Sequence, residues 1–80
     1  MPTIIRIRGF RVFMWPGDHI PPHFHVLGAG YAARISLEGL RILDEKGKRP
    51  ACMADILAWA GEHGDLLEKA WADLSREGIA

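Results

Sequence analysis

Cysteine is nearly absent: Cys52 is the single one among 80 residues. No disulfide can therefore close within the chain, and a reducing compartment suits it. Cys52 lies among apolar residues and reads as a small buried hydrophobe rather than a nucleophile. Long apolar runs are missing as well, and none approaches the roughly 18–20 residues of a membrane span. The opening Met-Pro-Thr-Ile-Ile-Arg-Ile-Arg places arginines where a signal peptide would carry its apolar stretch. These absences lead us to expect a cytoplasmic protein with no membrane contact. Also absent are a phosphate-binding P-loop, a paired C-x-x-C, a Gly-x-Ser-x-Gly elbow and H-E-x-x-H.

Net charge is missing too, but only in sum. Residues 1–34 carry Arg6, Arg8, Arg11 and Arg34 against Asp18, or +3, while residues 35–80 carry six Lys/Arg against nine Asp/Glu, or −3. Such asymmetry is expected of an anion-facing half and a solvated half, and also arises by chance in a short chain. What is present is apolar bulk: 49% hydrophobic residues, with three Trp and three Phe. That suffices for one modest core in a single domain, 1–80, of a size where a partner or a second copy adds stability.

The first half reads as strands and the second as helices. Thr3–Arg8 alternates apolar and basic residues, Arg8-Gly9 suits a tight hairpin, and Phe10–Trp15 alternates again. Pro16-Gly17-Asp18 breaks that strand. Pro21-Pro22 cannot donate to a ladder, so a third strand is expected from His23 to Leu27. Gly28-Ala29-Gly30 is the next loop, Tyr31–Leu37 the fourth strand, Leu40–Leu43 a short extended piece, and Glu45-Lys46-Gly47-Lys48 a turn. Strands thus fill 3–43.

Pro50 suits a first helical turn. Met53, Ile56, Leu57 and Ala60 make one apolar stripe, and Leu67, Ala70, Trp71 and Leu74 another. Gly61 and Gly64 suggest a break, Asp65 with Glu68 resembles a capping box, and Gly78 suits a stop. Two helices are predicted, 51–61 and 65–77. The fold class is α+β: a small antiparallel sheet of three to five strands followed by two C-terminal helices packed on one face.

With Ile5, Ile7, Phe10, Val12, Met14, Phe24 and Val26 under the helices, the open face receives Arg6, Arg8, Arg11, Phe13, Trp15, His23 and His25, and Arg34 can join them. Three of the four histidines fall within seven residues, His19, His23 and His25. On a strand, residues i and i+2 share a face some 6.5–7 Å apart. Two such imidazoles, with Asp18 or His19 as a third ligand, can hold a divalent transition metal and leave a position open. Without metal, His23 and His25 can act as general acid and base, with Arg6, Arg8 or Arg11 stabilising charge on phosphate. Arginines with exposed aromatics also suit RNA. Equally, the histidines can pair with Asp18 or a backbone carbonyl and merely order the Pro-Pro loop, and Phe13 and Trp15 can be covered by a partner or in a homodimer. His63 reads as the satisfier of free carbonyls at the helix break, and Trp59 and Trp71 as core or dimer-contact residues.

The opening Met-Pro-Thr-Ile-Ile-Arg-Ile-Arg-Gly-Phe-Arg-Val-Phe, the segment Asp18-His19-x-Pro21-Pro22-His23-x-His25-Val26 and Leu66-Leu67-Glu68-x-x-Trp71 together resemble the small bacterial domain-of-unknown-function family numbered 4160. Pro16-Gly17 and Ile20 depart from the more polar residues expected there. The resemblance assigns no reaction. It implies a short protein encoded beside another small protein, forming a toxin–antitoxin or regulatory pair. The leading expectation is therefore binding of that neighbouring protein, with RNA as a second ligand, through Arg6, Arg8, Arg11, Trp15, Asp18, His19 and Arg34. The rivals are a nuclease or hydrolase using His23 and His25, and a self-associating structural domain.

Overall fold

The computed structural model describes residues 3–15 and 21–79, with side chains through Leu74. Five strands come first: β1 (Thr3–Ile7), β2 (Phe10–Phe13), β3 (His23–Gly28), β4 (Tyr31–Ser36) and β5 (Ile42–Lys46). They form one antiparallel meander in sequence order. Two helices follow, α1 (Met53–Glu62) and α2 (Gly64–Ile79). This is the α+β arrangement expected from the sequence. Among the described residues no helix is long and apolar enough to cross a membrane.

Local chemistry sets the two tightest turns. Arg8 and Gly9 both take positive φ, 49° and 85°, between the paired residues Ile7 and Phe10. Ala29 and Gly30 repeat this at 45° and 73°, between Gly28 and Tyr31. Two central residues at positive φ match the right-handed twist of the flanking strands. Close approach decides two further glycines. A Cβ on Gly28 would stand 3.0 Å from the Phe10 ring, and one on Gly47 would overlap the Gly30 carbonyl.

Strand alternation then separates the faces. Phe10, Val12, Met14, Phe24, Val26, Tyr31, Ala33 and Ile35 form a buried layer, and α1 and α2 add Met53, Ile56, Ala60 and Leu67 to it. Each fully buried large side chain contributes about 1.5–3 kcal/mol relative to exposure. Ala70, Trp71 and Leu74 pack on the same cluster as partly buried residues, so the second predicted stripe does face the core.

Several local expectations are corrected. Glu45 and Lys46 are not in a turn: they belong to β5, opposite Ala33 and Ala32. The turn falls at Gly47, whose φ of 95° favours glycine. An outermost strand tolerates this run of charge because one edge and one face meet water. The β2 strand ends at Phe13 rather than Trp15, although Met14 is still buried and Trp15 exposed. In α2 Asp65 is not the N-cap. The helix starts at Gly64, and the His63 carbonyl accepts its early N–H bond from Leu67 at 3.0 Å. The interruption between the helices is one residue long, and Asp65 sits in the first turn, where its charge favours the helix dipole. Nor does Gly78 stop α2, which runs to Ile79; a single glycine costs a helix only about 1 kcal/mol.

Candidate functional site

Cross-strand pairing assembles a row on the open face. Phe13 of β2 lies opposite His25 of β3, His25 opposite Arg34 of β4, and Arg34 opposite Asp44 of β5. The last pairing depends on a register shift in β4–β5, which places Ile35 opposite Ile42 but Arg34 opposite Asp44. The extra residue, Leu43, is the mark of a β-bulge. Alternation brings Arg6 opposite Arg11, Arg11 opposite Leu27, Leu27 opposite Ala32, and Ala32 opposite Lys46 in the neighbouring row.

Aromatic stacking orders the first row. The His25 imidazole stacks on Phe13 at 5.0 Å with planes 14° apart. Arg11 lays its guanidinium over the same phenyl ring at 4.5 Å. Trp15 meets Phe13 edge-on at 5.8 Å. These neighbours bury Phe13 to 4% exposure, whereas Trp15 keeps 45%. The expected exposed pair of aromatics is thus one exposed indole beside a buried phenyl ring.

His23 and His25 do share this end of β3, with ring centroids 5.1 Å apart. Their environments differ. His23 is 2% exposed; its ring lies between His25 and Trp71 of α2, the latter at 5.3 Å. Its Nδ1 donates to the Pro21 carbonyl at 2.8 Å. A carbonyl only accepts, so Nδ1 carries the proton, and in the neutral ring Nε2 is the acceptor. The His23 ring is therefore a positioned, enclosed group, and His25, half-buried, is the imidazole that faces outward. Among the described residues no group of three or more His, Cys, Asp or Glu is arranged to hold a metal ion. Asp18 and His19, the other candidate ligands, lie outside the described residues.

Electrostatics reinforce the row. Arg34 donates from Nε to Asp44 Oδ2 at 2.9 Å and from Nη2 to the same oxygen. That bond holds the Asp44 carboxyl below its usual range against a desolvation that works the other way, and the charge on Arg34 favours its ionised form further. Between β3 and β5 the face dips into a shallow groove of about 280 Å³ lined by Phe13, His25, Leu27, Arg34, Asp44 and Lys46 among others. A flat, charged and aromatic surface of this kind suits contact with a large ligand. His25 beside Arg34 also provides an acid/base group next to a cation.

The other candidates separate. Arg34 joins the row as expected. Arg6 and Arg11 share the open face through their cross-strand pairing. Arg8 does not: its left-handed turn conformation carries the side chain to the helix side, where Nε meets Asp55 Oδ2 of α1 at 2.9 Å. His63 donates to the Trp59 carbonyl at 2.8 Å and stacks on that indole at 4.7 Å, which is the carbonyl-satisfying role expected of it. Asp44 and Trp71 are contributors that sequence reasoning missed. Asp44 was hidden because its strand was cut short at Leu43. Trp71 belongs to the helical core stripe, and only its contact with His23 ties it to the histidines.

On the core side of β5, the Tyr31 hydroxyl donates to Glu45 Oε1 at 2.7 Å, and Arg49 clamps the same carboxylate with Nε and Nη2 at 3.1 and 2.6 Å. Burial, and then the bond to Glu45, push the Tyr31 hydroxyl up to about 12. The bonds from Arg49 and Tyr31 bring the Glu45 carboxyl down to about 2. This network fastens the edge strand that carries Asp44.

Neither a curated protein nor a solved structure matches the chain. A family model does, across residues 9–72, a span that runs from the first hairpin turn through β3 and its two histidines to Trp71. The matched region holds the whole Phe13–His25–Arg34–Asp44 row, and the chain belongs to the family described as Domain of unknown function (DUF4160).

Proposed function

We propose that the protein is the binding member of a two-protein regulatory pair of the toxin–antitoxin kind, acting in the bacterial cytoplasm, and that its open sheet face docks the partner protein. The observation that carries this reading is Trp15. It stands 45% exposed at the end of an ordered row of side chains, on a face where Leu27 is 43% exposed. Exposed Trp beside Arg is the composition of an interface centre. Arg6, Arg11, Arg34 and Lys46 outnumber Asp44 on this face, so the complementary partner surface is acidic with an apolar middle. The groove is shallow, which favours a protein surface over a small enclosed ligand.

The test is co-expression with the product of the adjacent gene, followed by size-exclusion chromatography and calorimetry. A defined complex is expected, weakened roughly tenfold or more by Trp15→Ala and unchanged by Arg8→Ala, whose side chain faces α1. Host growth on inducing each protein alone and then both reports which member is toxic. The reading fails if no complex forms, or if Trp15→Ala leaves the affinity unchanged. RNA binding with a steep salt dependence would replace it with a nucleic-acid function, and a tight homodimer that shields Trp15 would replace it with self-association.

A further inference from the structure

A second depression opens where β3 begins and β4 ends. It measures about 400 Å³ and is lined by Pro21, Pro22, Leu37, Glu38, Glu68 and Trp71. None of these residues belongs to the open-face groove. Its walls are held in place. The Pro22 carbonyl accepts the Leu37 N–H at 3.0 Å, and the Pro21 carbonyl accepts the His23 ring at 2.8 Å. Ser36 Oγ donates to the Glu38 carbonyl at 2.6 Å and accepts the Arg41 N–H at 3.3 Å, fixing the turn that presents Glu38. Glu68 and Trp71 are three residues apart on α2 and so share one face of the helix. The His23 ring backs the indole at 5.3 Å.

The chemistry of this lining is one-sided. Proline rings have no N–H to donate, and the Leu37 N–H is already used. Both charged groups are carboxylates, and they come from two different elements. Among the described residues neither Glu38 nor Glu68 enters an ion pair. An anion would meet two like charges here. A hydrated metal ion would gain nothing from two prolines, a leucine and an indole, because hard cations take oxygen ligands. A cation on an apolar stem uses every wall: its charge meets the carboxylates, its stem lies on proline and leucine, and its head is attracted by the indole.

The geometry points to a binding site for an organic cation, a guanidinium or alkylammonium on an apolar stem, between Trp71 and the two carboxylates. The ligand is either a free small molecule or an Arg or Lys side chain. This site stands independently of the docking face.

The experiment titrates the full chain, ¹⁵N-labelled at its tryptophans, with agmatine, with a capped arginine tripeptide, with Nα-acetyl-citrulline amide as a neutral isostere of the guanidinium, and with magnesium chloride at matched ionic strength. The Trp71 indole resonance, assigned from Trp71→Phe, is expected to shift and saturate with both guanidinium probes. Nα-acetyl-citrulline amide should bind roughly tenfold more weakly, and Glu38→Gln and Glu68→Gln should each weaken agmatine binding about three- to tenfold. Both glutamates are exposed, so these variants keep the fold, and unchanged Trp15 and Trp59 resonances verify it. Glu62→Gln, outside the pocket, should have no effect. Tighter binding of the tripeptide assigns the cation to a protein side chain, and equal binding assigns it to a free molecule. An unresponsive Trp71 indole, Nα-acetyl-citrulline amide matching agmatine, or magnesium displacing agmatine at equal ionic strength overturns the site.

Discussion

The two faces of one sheet use their residues in opposite ways. Under the helices, Phe24, Val26, Ile35 and Ile56 are each at most 1% exposed and belong to one apolar cluster that also takes in Tyr31. On the open face, Phe13, His25, Arg34 and Asp44 run across four strands as a polar and aromatic row, with Trp15 beside it in water. The first face is bound by packing, where loss of volume is costly. The second is ordered by stacking and ion pairing, whose individual contributions at a surface are small. The difference teaches that this sheet stabilises from one side and presents chemistry from the other.

Breaking the core face should have the largest effect. Phe24→Ala removes a fully buried ring and should destabilise by about 3–5 kcal/mol, read as a shifted midpoint in urea denaturation. That is comparable with the whole stability of a domain this small, so the variant should be largely unfolded at 37 °C. Gly47→Ala comes next. It meets both a positive φ of 95° and the Gly30 carbonyl, and should cost about 2 kcal/mol or more by the same measurement, since β5 must move away from the β3–β4 turn.

The Tyr31–Glu45 bond sharpens the comparison through pH. The Tyr31 hydroxyl is raised from 10.0 to about 12 in the folded chain. The unfolded chain ionises first as pH rises, so this contribution is complete below pH 10 and lost between about 10 and 12. Melting temperatures of the wild type should fall through that range, and Tyr31→Phe should show a smaller fall. Glu45 acts in the opposite direction. Lowered from 4.5 to about 2, it stabilises above its unfolded value, and the contribution disappears as pH drops through that interval.

The smallest stability effect belongs to the open face. Trp15→Ala should lower the unfolding free energy by only about 0.5–1.5 kcal/mol, the worth of its edge-on contact with Phe13, while removing the proposed partner contact. A large loss of stability from this variant, measured in the same urea experiment, would mean that Trp15 is part of the fold and would erase the contrast between the faces.

Much of the architecture was legible because it follows from local rules. Alternation in 3–7 and 10–15 separated core from open positions, and the structure keeps Val12, Met14, Phe24 and Val26 on the buried side. Helical spacing likewise identified Met53, Ile56, Ala60 and Leu67. Boundaries were less legible where two signals competed. Glu45 and Lys46 look like turn residues by composition, yet cross-strand pairing to Ala33 and Ala32 draws them into β5. Arg8 has the alternation of an open-face residue, yet a left-handed turn redirects it to Asp55.

The sequence by itself determined the α+β order, the two helical stripes, and the concentration of histidine around Pro21-Pro22 and the start of the third strand. Those depend on spacing along the chain, which the chain carries with it. Only the tertiary structure decided which histidine is enclosed and which faces outward. His23 and His25 are equivalent by spacing, but Trp71, 48 residues beyond His23, closes over one of them. It also decided that Asp44 completes the row, since a bulge in β5 sets that register. Contacts between residues far apart in sequence leave no local pattern, because the pairing of strands and the seating of a helix are settled by packing the whole core at once.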